Sequence, residues 1–379
     1  MRKLPAAFLT AALLVCSIPS ASAAVGAPVV EATAAVLMEK ETGAVLFEQS
    51  SHDKLEPASV TKVMTLLLIM EALESSRLKV DDMVTVSARA ASMGGSQVYL
   101  KEGEQMSTDE LLKAIAVASG NDASVAMAEH LAGSEEGFVA MMNQRAAQLN
   151  MNDTNFVNCT GLPAAGHLTT AYDIALMSRE LIKHADVRKY TTIWMDTIRD
   201  GTFQLANTNK LIRFYEGATG LKTGSTDSAL YCLSATAERD GMELIAVVLK
   251  SPSSDKRFES AKSMLSFGFA NYTILDVYPN AALPPIDVLL GKQGLVQPIL
   301  SRSSRILVDK ADLNNVDTQL RLAEEVEAPV EPGQTLGEMT VTINGQVKET
   351  IPIVAANAVE RLTTPGIFFN FLRQLFMAA

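Results

Sequence analysis

Residues 56–65 read Glu56-Pro57-Ala58-Ser59-Val60-Thr61-Lys62-Val63-Met64-Thr65, and the apolar run continues to Leu73. Pro57 stops the chain that precedes it and Ser59 opens an apolar-periodic stretch, so a helix is predicted over 60–73. At i and i+3 of that helix, Ser59 and Lys62 share a face, and the amine can reach the hydroxyl. A serine hydroxyl is a weak nucleophile without a neighbouring base. A lysine supplies one when burial or a second cation lowers its pKa far enough to populate the neutral amine. The Ser59 backbone N–H, at a helix start, can face a developing oxyanion. Four residues recur by chance, however, and a capping serine beside a surface lysine is the commoner meaning of S-x-x-K.

Two further motifs lie downstream. Ser119-Gly120-Asn121, 60 residues on, interrupts two apolar helical runs. The first run starts at the capping box Ser107-Thr108-Asp109-Glu110, and the second covers 122–131. Gly and Asn suit a helix C-cap. The chemical reading makes the Ser119 hydroxyl a proton relay beside the nucleophile, with the Asn121 amide orienting Lys62 or substrate. A further 103 residues on, Lys222-Thr223-Gly224-Ser225 stands just ahead of an apolar strand at 229–236. Alone, it reads as a β-turn. As a strand edge, it can pair with an extended substrate backbone, while Lys222 brings a fixed positive charge and the Ser225 N–H a second oxyanion donor.

Around these motifs the text alternates between strands and helices. Ala34–Met38 and Ala44–Phe47 read as a hairpin turning at Gly43, and Thr169-Thr170 caps a helix over 171–183. A strand at 242–249 follows the one at 229–236, and a helix near 258–269 closes the body. Pro279, Pro284 and Pro285 then mark a linker. Strands are predicted at 305–308, 319–322, 339–343 and 346–351, the last two joined by the hairpin turn Asn344-Gly345. The reading is a mixed α/β body over 24–272, a small β-rich domain over 273–362 and a terminal amphipathic helix over 363–379.

Composition narrows the function classes. The 379 residues carry a net charge of −11, which argues against a nucleic-acid binder. With 48% apolar and 20% charged residues the chain builds real cores rather than disorder. His52, His130, His167 and His184 show no paired-ligand spacing, so neither a metal site nor a cofactor is expected.

The ends indicate where the protein works. Arg2 and Lys3, the apolar run Phe8–Val15 and the small residues Ala21-Ser22-Ala23 make residues 1–23 a secretory signal. Secretion leaves Cys159 and Cys232, expected as free, mostly buried thiols. After Pro365-Gly366, the stretch 367–377 carries Phe368, Phe369, Phe371 and Phe376 with polar residues on the opposite arc. It is too short to span a bilayer and suits a helix lying in the membrane interface, or one docked on its own domain.

In this order and context the three motifs resemble those of the penicillin-recognising serine acyltransferases. The flank of Ser59, the Ser-Gly-Asn form of the second motif, Gly220-Leu221-Lys222-Thr223-Gly224, Asn158-Cys159-Thr160-Gly161-Leu162 and His167 to Asp173 are similar to those of the secreted D-alanyl-D-alanine carboxypeptidases, the low-molecular-mass penicillin-binding proteins. The resemblance runs from about Ala34 to Phe269. It implies a serine β-lactamase/transpeptidase-like catalytic domain of mixed α/β type, followed by the β-rich domain and an anchor helix. It also implies removal of the terminal D-alanine from the peptidoglycan pentapeptide stem outside the cytoplasmic membrane, with β-lactams as covalent inhibitors. Ser59 would attack the carbonyl, Lys62 would act as base and Ser119 would return a proton to the leaving amine. Lys222 and Thr223 would hold the terminal carboxylate, with Asn121, Gly224 and Ser225 completing the substrate site. Two departures stand out: Ser225 replaces a histidine of some relatives, and Asn207-Thr208-Asn209 lacks an Arg that some carry between the two Asn. A class A β-lactamase would need a Glu in E-x-x-L-N, where this chain has Ala146 and Lys310. A non-catalytic wall-binding protein on the same fold would have no need of the intact Ser59, Lys62, Ser119 and Lys222.

Overall fold

β1 (Ala34–Glu39) reads AAVLME, and all of its side chains are buried. An uninterrupted apolar strand needs cover on both faces. The computed structural model, which describes residues 26–278 and 282–368, supplies it. The expected signal segment, and residues 369–379 of the expected anchor, lie outside the described residues.

The body is built in chain order from β1, β2 (Val45–Gln49), α1 (Lys62–Glu74), α2 (Thr108–Ala116), α3 (Asn121–Ala132), α4 (Glu135–Gln148), α5 (Ala171–Leu181), β3 (Ala218–Thr226), β4 (Leu230–Arg239), β5 (Met242–Ser251) and α6 (Ser254–Asn271). The strands form one antiparallel sheet in the order β2-β1-β5-β4-β3. Alternation along the strands divides the core in two. Val36, Met38, Ile245 and Val247 face the helical body, while Leu37, Leu244, Val248 and Leu233 face α6 through Phe258, Met264 and Leu265. α5 lies on the first face, and α1 packs against α5. Nearly every side chain of α1 is buried, which makes it the central helix of the body.

The predicted hairpin, helix caps and thiols are all present. Gly43 takes φ +72 in the first turn, and Glu39 folds over that turn to accept from the Glu41 and Thr42 N–H groups. Ser107 and Thr170 cap α2 and α5, and Cys159 and Cys232 are free and buried. α4 was not anticipated, and of the two readings of the third motif the structure bears out the strand edge rather than the turn, with β3 beginning already at Ala218.

β6 (Tyr272–Asp276) continues from α6 into a second unit of β7 (Ile286–Leu289), β8 (Leu295–Val296), β9 (Pro298–Leu300), β10 (Arg305–Asp309), β11 (Val316–Leu322), β12 (Glu325–Glu327), β13 (Thr335–Ile343) and β14 (Gln346–Ala355). These form small sheets ordered β6-β10, β8-β7-β12 and β9-β14-β13-β11. Asn344 and Gly345 both have positive φ, as the β13–β14 turn requires. Arg305 fastens this unit to the body by donating to Gly241 O at 2.5 Å, and Lys310 donates to Phe269 O at 2.7 Å. Among the described residues no helix is long and apolar enough to cross a membrane.

Candidate active site

A tight 3-10 turn, Ala58–Thr61, precedes α1, and neither element takes a side-chain cap. Ser59 therefore caps nothing, and its hydroxyl is left for other work. One turn on, Lys62 is fully buried, and its Nζ has three partners: Ser59 Oγ at 3.1 Å, Asn121 Oδ1 at 2.6 Å and Thr160 O at 2.8 Å. Burial, opposed by the fields of Cys159 and Asp122, brings the lysine pKa down to about 7. Two of the three partners are carbonyl oxygens that can only accept. A neutral amine gives them its two N–H bonds, and its lone pair is left facing Ser59 Oγ, whose O–H then donates to it.

Both carbonyls are held in place. Asn121 Nδ2 donates to Gly94 O at 2.7 Å, which fixes the amide with Oδ1 toward Lys62, and Asn121 N donates to Ser96 O at 2.7 Å. Asn121 is thus positioned to orient Lys62, while one N–H of Nδ2 and one lone pair of Oδ1 stay uncommitted in these contacts. Thr160 belongs to a loop shaped by Asn158, whose Oδ1 accepts from Thr160 N, Thr160 Oγ1 and Gly161 N. Gly161, at φ +83, lies so close to the Ser59 turn that a Cβ there would sit 1.8 Å from Ala58 O. His167 locks the same turn. Its Nδ1 accepts from Val157 N, so Nε2 carries the proton and donates to Thr61 Oγ1 at 2.8 Å. Burial lowers its pKa to about 4 and keeps it neutral.

Ser119 adopts φ 64, uncommon for a residue with a Cβ, and its buried Oγ has no hydrogen-bond partner among the described residues. Strained residues and unpartnered buried hydroxyls cluster at functional sites, and this one carries both features.

β3 brings the third motif to the other side of Ser59. A Cβ on Gly224 would meet Ser59 N and Pro57 O at 2.8 Å each, so only glycine lets the strand come this close. Lys222 is buried and donates to Thr223 O at 3.1 Å. Burial and the positive neighbours Lys62 and Arg257 push its pKa well down. Thr223 Oγ1 donates to the hydroxyl of Thr208 at 2.7 Å, and Ser225 is exposed next along the strand. Arg257 is buried and donates to Gly224 O and Cys232 O, each at 3.2 Å, and burial lowers its pKa to about 10. Lys222 and Arg257 donate to carbonyls and a hydroxyl rather than to carboxylates, an arrangement that favours an incoming anion.

Sequence reasoning singled out the stretches that hold Thr160 and Thr208 without giving either residue a role, and it missed Arg257. Thr160 contributes a backbone carbonyl, which carries no residue signature. Arg257 had one signal: it is a cation in the first turns of α6, where the helix dipole disfavours positive charge.

The chain is similar to known proteins along most of its length. Residues 21–253 match the family described as D-alanyl-D-alanine carboxypeptidase, and residues 279–361 match the C-terminal domain of penicillin-binding protein 5. The chain is 43% identical to the D-alanyl-D-alanine carboxypeptidase DacF of Bacillus subtilis over 91% of its length and 89% of that protein's. It is 33% identical to DacC of Escherichia coli over 94% and 92% of the two chains. The structure of penicillin-binding protein 5 from Haemophilus influenzae superposes with a TM-score of 0.78 at 28% identity, covering 89% of this chain and all of that one. With matches of this length across both of its units, the chain belongs to the D-alanyl-D-alanine carboxypeptidase family of serine hydrolases, the low-molecular-mass penicillin-binding proteins.

Proposed function

We propose that Ser59 removes the terminal D-alanine of the peptidoglycan pentapeptide stem through an acyl-enzyme, with neutral Lys62 as base. The observation that carries this reading is the three-way seating of the Lys62 amine, which leaves one lone pair aimed at one hydroxyl. Lys62 takes the Ser59 proton as Oγ bonds to the D-Ala-D-Ala carbonyl carbon. The oxyanion is met by the N–H groups of Ser59 and Ser225. Collapse breaks the C–N bond as Ser119 passes a proton to the leaving amine, and water then hydrolyses the ester. Lys222 and Thr223, with Gly224 giving close approach, hold the terminal carboxylate. A β-lactam carrying a carboxylate enters the same way and acylates Ser59.

Only the neutral amine serves, so the acylation rate should follow its population. The second-order rate of labelling by a fluorescent penicillin should rise with pH through about 7 and level off above it. Well below that midpoint it should fall about tenfold per pH unit. A profile flat from pH 5 to 9 would remove Lys62 from the base role.

We further propose that residues 1–23 direct secretion, that residues 24–272 and 273–362 are the catalytic and β-rich domains, and that 363–379 attach the protein peripherally to the outer face of the cytoplasmic membrane. The described start of that last segment, residues 364–368, is helical. A net charge of −11, which becomes −13 once Arg2 and Lys3 leave with the signal, works against anionic lipid, so attachment rests on the apolar face. Deleting residues 364–379 should release the protein from membranes with soluble activity intact; continued sedimentation with membranes would contradict the anchor.

A further inference from the structure

Tyr99 is unused by the chemistry above, yet the fold goes to some length to present it. The residue is 64% exposed and its backbone sits at φ 56, a conformation that an aromatic residue rarely adopts. Its neighbours fix it there. Val98 and Leu100 are buried, and their N–H groups each donate to the carboxylate of buried Asp122 at 3.0 Å. Arg199 donates to Val98 O at 2.8 Å and to Tyr99 O at 3.2 Å. The same loop lies directly on Asn121, whose N and Nδ2 donate to Ser96 O and Gly94 O. Phe203 meets the Tyr99 ring edge-on at 6.3 Å, with the Arg199 guanidinium 5.3 Å from the Phe203 centroid. Burial would favour turning such a ring inward, so holding it in solvent on a strained backbone does not serve folding. A ring held rigid binds a ligand at little cost in conformational entropy.

We propose that Tyr99, backed by Phe203, is a specificity-determining residue that binds the substrate upstream of its terminal D-Ala-D-Ala, along the stem peptide and the sugar that carries it. The proposal rests on the carboxypeptidase reading. With the terminal carboxylate taken by β3, a ring on the loop that seats Asn121 is left for the rest of the donor. Aromatic faces suit the C–H faces of a sugar and the methylenes of a stem side chain.

The test is Tyr99→Gly, because glycine adopts φ 56 freely and keeps the loop while removing the ring. D-alanine release would be followed from acetyl-D-Ala-D-Ala and from a disaccharide pentapeptide. The short substrate should keep its kcat/KM within about twofold, and the disaccharide pentapeptide should lose about tenfold through KM. Tyr99→Phe should preserve both. Equal losses on the two substrates would reveal a structural role, and unchanged rates on both would exclude contact; either result overturns the proposal. Wild-type release from the short peptide reports on the carboxypeptidase reading by itself, whereas the ratio between substrates reports on Tyr99.

Discussion

Lys62→Met is expected to fold and to lose acylation by a fluorescent penicillin about 10³-fold. Methionine has nearly the length of lysine and no charge to desolvate, so the buried slot beside Ser59 remains filled. What is lost is the lone pair facing Ser59 Oγ and the donor to two carbonyls. Asn121 Oδ1 and Thr160 O are left unsatisfied, which costs about 1–3 kcal/mol each. The variant isolates the base from the rest of the site, because Lys222 and the close contact of Gly224 with Ser59 N are untouched. A folded Lys62→Met protein labelled within tenfold of the wild-type rate would show that the proton leaves Ser59 by another route.

Gly161→Ala should damage both stability and chemistry. The new methyl would sit 1.8 Å from Ala58 O and 2.8 Å from Thr61 Oγ1, on a backbone at φ +83. Neither contact can be relieved without moving the 158–162 loop away from the Ser59 turn. That movement withdraws Thr160 O from Lys62 Nζ. A loss of about 3 kcal/mol or more in urea unfolding is expected, together with near-complete loss of acylation. Gly166 is the control: at φ +81, its added Cβ would come no closer than 3.8 Å to Asn155 Nδ2. Gly166→Ala should cost only about 1 kcal/mol, from backbone conformation alone. Equal behaviour of the two variants would show that the Gly161 contact does not hold the loop.

What was legible in the sequence follows a physical pattern. Helix starts with side-chain caps, such as those at Ser107 and Thr170, are written locally, and so are the Gly43 and Asn344-Gly345 turns. The three motifs are legible as a set because side-chain chemistry must recur where a nucleophile, a base and a carboxylate site are needed. The full extent of the strand through Ala218–Thr226 was not legible beyond the edge at 222–225, because its two glycines and polar residues suppress the apolar alternation that marks a strand. Those residues serve the edge of the site rather than the core. The Thr160 carbonyl and the Tyr99 loop were hidden for a different reason. Backbone groups carry no residue code, and the loop's shape depends on Asp122 and Arg199, which lie 23 and 100 positions from Tyr99.

The most direct test of the account compares D-alanine release from diacetyl-L-Lys-D-Ala-D-Ala by the wild-type protein and by Ser59→Ala. The account predicts release by the wild type and none above background by the variant. Release by both proteins, or by neither while the wild type is folded and takes penicillin label, would contradict it.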